Sequence, residues 1–176
     1  MDQVFAVSQV CEKYLANGKD VFWGFMDLEK AYDTIDQHGM WQMLRVYGVG
    51  GKLLKGVQSF YVDRWACVRV GNDVSEWFPV NVGLRQGRVI SPRLLNVYMD
   101  GMVREVTVRV LGKGLEQLSA NGGRFEIQKL LFADDTALVA DSEEKFCRLM
   151  SEFGRVCERR KFRVNVGKNN VMRCSR

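Results

Sequence analysis

The sequence has no pair of cysteines in a CxxC arrangement, and its five cysteines lie far apart. An odd number of scattered cysteines is typical of reduced intracellular thiols and argues against a disulfide framework or a zinc site. The N-terminal stretch MDQVFAVSQV lacks a basic region followed by a long apolar run, and no segment is as long as a transmembrane helix. We therefore expect a soluble intracellular protein, in the nucleus or the cytoplasm, without a membrane partner.

Repeats, low-complexity tracts and an obvious linker are also missing, so the 176 residues are predicted to form one compact unit with a real core. Hydrophobic residues make up 47% of the chain and charged residues 27%, which indicates a globular protein rather than a disordered one. The net charge of +5 mildly favours an anionic partner. Basic residues cluster in CERRKFR and in GLRQGR.

Local patterns predict a mixture of helices and strands, which we classify as α+β. The nearly continuous apolar run VFWGFMDL (residues 21–28) is typical of a strand that is covered on both faces. Residues 66–80 alternate around Gly71-Asn72-Asp73, which predicts a hairpin. Further helices are predicted near the N-terminus up to Asn17-Gly18, over residues 40–47 and 52–62, from Ser91-Pro92 onward, and over residues 146–157; FRVNV and NVMRC are predicted to form a last strand pair.

Two adjacent carboxylates, Asp134 and Asp135, interrupt the apolar segment LLFADDTALVADS, which predicts a hairpin with the pair at its tip. Like charges this close repel, and burial raises their pKa values unless a positive charge lies nearby. A divalent metal ion would supply that charge. A third carboxylate, Asp27, stands at the end of the predicted buried strand, and three such groups are able to hold two Mg²⁺ ions roughly 3.5–4 Å apart. The alternative is an ordinary aspartate-rich turn.

Two other features carry no catalytic prediction. The segment GVGGKLL contains Gly-Lys, but Val46 stands where the first glycine of a phosphate-binding loop belongs, and Leu53 replaces its Ser or Thr. The single histidine, His38, is predicted to lie on the surface near the start of a helix.

Three segments, in this order and spacing, resemble motifs A, B and C of reverse transcriptases: FMDLEKAYDTI, GLRQGRVISPRLLNVYMD and LLFADDTALVADS. The FADD form and the following N-x-x-K, which runs from Asn165 to Lys168, are most similar to LINE-type, non-LTR retrotransposon enzymes. The resemblance covers nearly the whole chain. It implies a right-hand polymerase palm with part of the fingers, in which an antiparallel sheet carries the catalytic carboxylates and helices pack behind it. Residues 1–176 would then be a partial reverse transcriptase domain that lacks the early fingers segment and the thumb.

The resemblance also implies a metal site. Asp27, Asp134 and Asp135 match the catalytic, metal-binding aspartates, and the backbone carbonyl of Leu28 matches a further ligand. The expected cofactors are two Mg²⁺ ions, for which Mn²⁺ is a substitute.

Three more residues match substrate-binding positions of the family, and one matches a catalytic position. Tyr32 matches the steric gate that excludes a 2′-hydroxyl, and Gln86 and Gly87 match the loop that lies against the incoming nucleotide and the template. Lys168 matches a region where a basic residue is proposed to protonate the leaving pyrophosphate. The alternatives are a core aromatic for Tyr32, a solvated loop residue for Gln86, and a strand-edge or phosphate-contacting lysine for Lys168.

Four positions depart from the family's pattern. Arg88 follows Gln86-Gly87 where a small or apolar residue is usual, and Leu95 replaces a common aromatic. Lys161 replaces a frequent glycine, and Asn169 a usual Ser or Thr. We expect Arg88 to crowd the nucleotide loop, and Lys161 to strain a helix terminus that favours positive φ.

The implied function is RNA-templated DNA synthesis from a primer 3′-hydroxyl, with an RNA template, a DNA primer and a deoxynucleoside triphosphate as partners. One alternative is a catalytically silent retrotransposon remnant that binds nucleic acid through its basic patches. Another is an RNA-templated RNA polymerase, which the Ala31-Tyr32 pair disfavours.

Overall fold

The structure is a computed structural model of the chain and describes residues 2–112, 129–132 and 135–175. Two units make up the chain, one from Met1–Glu29 with Met99–Arg176 and the other from Lys30–Tyr98. The helices are α1 Asp2–Ala16, α2 Ala31–Thr34, α3 Gln37–Val46, α4 Gly51–Ser59, α5 Ser91–Leu111 and α6 Glu143–Arg159, and the strands are β1 Val21–Met26, β2 Trp65–Ala66, β3 Arg69–Val70, β4 Asp73–Val74, β5 Phe78–Pro79, β6 Lys129–Phe132, β7 Asp135–Ala140 and β8 Asn170–Cys174. This mixture of helices and antiparallel strands confirms the predicted α+β class. None of the described helices combines the length and apolar character that a membrane crossing requires.

The first unit contains a four-stranded antiparallel sheet in the order β6-β7-β1-β8. Its central strand β1 is covered on both faces, as predicted, because successive side chains of a strand point to opposite sides. Val21 and Trp23 pack with Val10 of α1 in one apolar cluster. On the other face, the ring of Phe22 stacks on that of Phe146 in α6, with 6.2 Å between the centroids. Helices therefore pack on both faces of the sheet rather than only behind it.

Strand β1 and helix α6 pack closely at Gly24, where a side chain would force the Met150 side chain to move. A Cβ atom on Gly24 would lie 2.7 Å from the sulfur of Met150 and 3.1 Å from the Phe146 ring. This approach brings α6 down onto the sheet beside the strand end that carries Asp27.

The predicted strand pair between FRVNV and NVMRC was wrong. NVMRC forms β8 and pairs with β1, while FRVNV contributes one bridge, between Val164 and Leu28, just beyond the end of β1. Both segments therefore lie along the same edge of β1 and its continuation, one after the other. The reason is that the exposed edge of a long buried strand supplies hydrogen-bond partners to both, and the backbone groups of both are satisfied there.

The C-terminus of α6 confirms the expectation for Lys161, whose φ is +61°. The amide of Lys161 donates to the carbonyl of Glu158, and the amide of Phe162 donates to the carbonyl of Cys157. These two bonds form a Schellman motif, in which glycine is usual at the position that Lys161 occupies. The turn directs Phe162 into the core, where it is buried. The left-handed conformation of Lys161 that this turn requires costs conformational energy.

An ion-pair cluster joins α5 and α6. Glu105 accepts a 2.9 Å hydrogen bond from Arg160, and Arg159 lies 3.0 Å from the same carboxylate. Burial by itself raises the pKa of Glu105, but the hydrogen bond from Arg160 and the charges of Arg160, Arg159 and Arg109 outweigh it and hold the pKa below its ordinary value.

In the second unit, α3 begins three residues before the predicted start, because the Asp36 carboxylate accepts a 2.6 Å hydrogen bond from the Gly39 amide and caps the helix. His38 is exposed in the first turn of α3, as predicted. The predicted hairpin also forms, with Gly71-Asn72 as its turn between β3 and β4.

Candidate functional site

Asp27 directly follows the last residue of β1, and Asp135 is the first residue of β7. In the register of these strands Met26 pairs with Thr136, so one further step sets Asp27 beside Asp135, the first residue of β7. The predicted hairpin forms as well, because Phe132 of β6 pairs with Asp135. Asp134 and the side chain of Asp135 lie outside the described residues. The backbone of the sheet therefore brings two of the three predicted metal ligands to one end of the sheet.

The backbone around Asp27 is held by the segment that interrupts the β1 edge. The amide of Asp27 donates to Oδ1 of Asn169 over 3.0 Å, and its carbonyl accepts a 2.9 Å hydrogen bond from the amide of Asn165. Residues 165–169 lie between the Leu28–Val164 bridge and the start of β8. The chain is paired along the β1 edge both before and after residues 165–169, so these residues form a turn next to Asp27.

The carboxylate of Asp27 has two further partners from the same turn. Asn165 donates a 2.9 Å hydrogen bond to Oδ2, and the ammonium group of Lys168 lies 3.6 Å from that oxygen. The Asp27 side chain is 21% exposed, whereas that of Lys168 is 70% exposed. The amide fixes the orientation of the carboxylate, and the exposed ammonium group adds a positive charge that solvent partly screens.

Leu28, whose carbonyl is a predicted metal ligand, is only 2% exposed and follows Asp27 along the β1 edge. Its burial anchors the chain next to the aspartate, and its role as a ligand stays a prediction. The same holds for Lys168: the structure places its ammonium group beside Asp27 but does not distinguish a proton donor from a phosphate contact.

The described part of the predicted metal site has the ligand chemistry that Mg²⁺ requires, since hard divalent cations bind carboxylate and carbonyl oxygens. Asp27 offers such a carboxylate, already oriented by Asn165. Within residues 2–112, 129–132 and 135–175 no three acidic, histidine or cysteine side chains form a metal-binding group. Two of the three predicted carboxylates belong to the part that this search did not cover.

The predicted substrate-binding residues come together in the unit Lys30–Tyr98. They line a single cavity of about 510 Å³, whose walls are formed by Tyr32, Gln86, Gly87, Arg88, Val89, Ser91 and Pro92. The Tyr32 side chain is half-buried and contributes to the cavity wall, which is more than a core aromatic would do. The chain thus brings a residue of motif A and two residues of motif B to one place, and their contacts with a nucleotide stay predictions.

A close backbone contact produces this juxtaposition. The amide of Leu84 donates to the carbonyl of Tyr32 over 2.6 Å, and the amide of Gly83 donates to the carbonyl of Ile35. Gly83 has a φ of +79°, and a Cβ atom there would lie 2.9 Å from the carbonyl oxygen of Asp33. Only glycine combines that conformation with that approach.

Two side chains set the position of the Gln86 loop. Gln86 is exposed, and its amide group donates a 3.1 Å hydrogen bond to the Asp33 carboxylate, so it is tied to α2 rather than simply solvated. Arg88, which departs from the family's pattern, lines the cavity and places its guanidinium group 5.2 Å from the centroid of the Phe60 ring. Leu95, another departure, is completely buried in α5.

Sequence reasoning missed three positioning residues. The sequence marks Asn169 only as a departure from the family pattern and Asn165 only as part of N-x-x-K, yet both hold Asp27. Arg64 was not noticed: it is buried, donates to the carbonyls of Val82 and Gly83, and lies over the ring of Tyr61. Burial and the charge of Arg85 lower the pKa of Arg64. Its only sequence signal is an arginine that follows Asp63 in an otherwise apolar and aromatic stretch.

Comparison with known proteins gives one family for almost the whole chain. Residues 4–175 match the family described as reverse transcriptase (RNA-dependent DNA polymerase). A Pol polyprotein from the type-1 retrotransposable element R2 of Popillia japonica is 25% identical over 118 residues, which are 67% of this chain and 18% of that protein. The corresponding protein from a type-2 element of Drosophila melanogaster is 27% identical over 117 residues, or 66% of this chain and 10% of that protein. The chain thus spans less than a fifth of the length of these relatives.

Solved structures show the same fold. Telomerase from Candida albicans, in complex with a fragment of telomeric RNA, superposes with a TM-score of 0.72 at 15% identity, covering 97% of this chain and 30% of that one. A truncated apo telomerase from Candida tropicalis gives a TM-score of 0.67 at 12% identity, covering 94% of this chain and 35% of that one. At this identity the likeness establishes the fold alone.

Proposed function

Because the chain belongs to the reverse transcriptase (RNA-dependent DNA polymerase) family, we propose that it supplies the palm and part of the fingers of an RNA-directed DNA polymerase of a non-LTR retrotransposon. The observation that carries this proposal is the register of β1 and β7, which sets Asp27 beside Asp135 at one end of the sheet. The proposed partners are an RNA template, a DNA primer and a deoxynucleoside triphosphate.

The proposed metal site consists of Asp27, Asp134, Asp135 and the carbonyl of Leu28. Two bound Mg²⁺ ions would activate the primer 3′-hydroxyl and stabilise the leaving pyrophosphate. Asn165 keeps the Asp27 carboxylate in one orientation, and Asn169 holds the backbone beneath it. This arrangement reduces the reorganisation needed when the site binds its ligands.

The proposed nucleotide site is the cavity lined by Tyr32, Gln86 and Gly87. The Tyr32 ring would occupy the space that a 2′-hydroxyl needs, so ribonucleotides would be excluded by a steric clash. The side-chain nitrogen of Lys168 lies 3.6 Å from the Asp27 carboxylate, and there it would protonate the pyrophosphate or contact a phosphate.

Primer extension by the purified chain tests this function. With an RNA template, a DNA primer and Mg²⁺, the wild-type chain is expected to add deoxynucleotides in preference to ribonucleotides, and Asp27→Asn is expected to abolish addition. Preferential addition of ribonucleotides would favour the RNA polymerase alternative.

A catalytically silent remnant is the second candidate, and the left-handed conformation of Lys161 favours it, because a lysine there costs stability that glycine would not. Salt-sensitive binding of nucleic acid without extension would support this candidate. Calorimetry gives an independent readout, since the remnant need not bind Mg²⁺ whereas the polymerase must, and Asp27→Asn is the control for that binding.

A further inference from the structure

Arg88 is the charged residue in the wall of the cavity that holds Tyr32 and Gln86. The central carbon of its guanidinium group lies over the Phe60 ring, 5.2 Å from the ring centroid. Within the described part of the chain Arg88 has no ion-pair partner. A cation in a cavity wall, supported on one face by an aromatic ring, is therefore available to a ligand.

Arg64 shows what an arginine with a purely structural role looks like in the same unit. Its guanidinium group is buried, stacks on Tyr61 and donates to the carbonyls of Val82 and Gly83. Arg88 also lies over an aromatic ring but is only half-buried, and among the described residues its side chain has no hydrogen-bond acceptor. Within the described part of the chain, the Nη2 group of Arg64 therefore has acceptors in the fold, whereas the guanidinium group of Arg88 has none.

We propose that Arg88 binds a phosphate group of the nucleoside triphosphate that occupies this cavity, an inference that rests on the proposed polymerase function. The planar fork of a guanidinium group matches two phosphate oxygens at once. Stacking on Phe60 restricts the long side chain before the ligand arrives, so that less conformational entropy is lost on binding. The cavity volume of about 510 Å³ lies in the range of small-molecule sites.

The loop that carries Arg88 has space for a ligand, and the expectation that Arg88 crowds this loop stays a prediction. Gly87, which precedes it, has a φ of +83°, and a Cβ atom there would meet nothing within 4 Å. The loop therefore has open space next to the arginine, and Gln86 is held by Asp33. The guanidinium group of Arg88 gives this wall a positive charge, which a phosphate group would neutralise.

The test compares a deoxynucleoside triphosphate with the corresponding nucleoside, titrated against the full chain in the presence of Mg²⁺. Arg88→Met should weaken triphosphate binding roughly tenfold and leave nucleoside binding unchanged, because the nucleoside carries no phosphate. Arg88→Lys should lose part of the affinity, since it keeps the charge but not the fork. Phe60→Leu should give a smaller loss than Arg88→Met. Arg93→Met, an exposed arginine outside the cavity wall, is the matched control and should bind as the wild type does.

Unchanged triphosphate affinity in Arg88→Met, with normal binding by the wild type, would overturn the proposal and leave the polymerase function standing. A loss of affinity for a single-stranded RNA oligonucleotide, without a loss for the triphosphate, would assign Arg88 to the template and also overturn it. If the wild type binds no triphosphate, both the proposal and the proposed function fail. Should Arg88→Met not fold, as judged by circular dichroism, Arg88→Lys and Phe60→Leu provide the same comparison.

Discussion

The side-chain amide of Asn165 donates a 2.9 Å hydrogen bond to the carboxylate of Asp27 across a separation of 138 residues. Asn165 belongs to the turn that interrupts pairing along the β1 edge, and its own amide binds the Asp27 carbonyl. One asparagine therefore holds both the backbone and the side chain of the residue on which the proposed metal site depends.

Asn165→Ala should destabilise the chain by about 1–2 kcal/mol, because it removes a hydrogen bond to a charged, largely buried group. It should also weaken Mg²⁺ binding, since the Asp27 carboxylate becomes free to rotate. Urea unfolding and calorimetry with Mg²⁺ measure the two effects. Asn17→Ala, which removes an exposed amide at the end of α1, is the control for metal affinity. Unaltered Mg²⁺ binding in Asn165→Ala would show that this asparagine serves the fold alone.

Lys168→Met should change the free energy of unfolding by at most about 1 kcal/mol, because an ion pair this exposed contributes little. The rate of nucleotide addition should nevertheless fall. Lys168→Arg separates the two proposed roles, since arginine keeps the positive charge but does not release a proton. Recovery of the rate in Lys168→Arg would identify a phosphate contact, and continued loss a proton donor. A normal rate in both variants would remove Lys168 from the proposed site.

Tyr32→Val should raise ribonucleotide incorporation relative to deoxynucleotide incorporation, because the smaller side chain leaves space for a 2′-hydroxyl. The expected gain is roughly 1–3 kcal/mol in relative transition-state energy. Primer extension with each nucleotide type measures it, and Mg²⁺ binding should stay as in the wild type. An unchanged ratio with surviving activity would mean that Tyr32 packs the cavity wall and that sugar selection lies elsewhere.

Lys161→Gly should stabilise the chain by about 0.5–1 kcal/mol, because glycine adopts positive φ without the steric cost that a lysine has there. Lys161→Ala removes the same charge but keeps the Cβ atom, so it should give no comparable gain. Thermal and urea unfolding compare the two variants. Equal stabilisation by both would assign the effect to the loss of charge rather than to the backbone.

Stability should fall in acid through Glu105, whose pKa is lower in the folded chain than its ordinary value. A carboxyl group of this kind stabilises the fold above its unfolded-state pKa of about 4.3, and that stabilisation is lost as the pH falls through the folded-state pKa. Glu105→Gln should therefore be less stable than the wild type at pH 7, and the difference should shrink as the pH is lowered below about 4. Urea unfolding across this range measures it, and Glu76→Gln, an exposed residue of the other unit, is the control.

Sequence alone determined the elements whose signals are local. The apolar run of β1 requires cover on both faces, Gly71-Asn72 makes a tight turn, and the position of Lys161 after α6 requires positive φ; all three are present. The motif resemblance likewise predicted the family and the end of the sheet to which β1 and β7 bring Asp27 and Asp135. These features are predictable because periodicity, turn chemistry and motif spacing lie within short stretches of the chain.

Only the tertiary structure decided which strand β8 joins and what surrounds Asp27. The pattern of NVMRC is compatible with pairing to FRVNV or to β1. In the structure, the edge of β1 and its continuation provides backbone hydrogen-bond partners for both segments. The contacts of Asn165 and Asn169 with Asp27 follow from that pairing, as does the place of Lys168 beside the carboxylate. Arg64 is similar, since its acceptors are carbonyls 18 and 19 residues away. Such hydrogen bonds depend on which backbone groups remain unpaired once the strands have paired. Strand pairing involves residues far apart in the sequence, so a local pattern does not predict it.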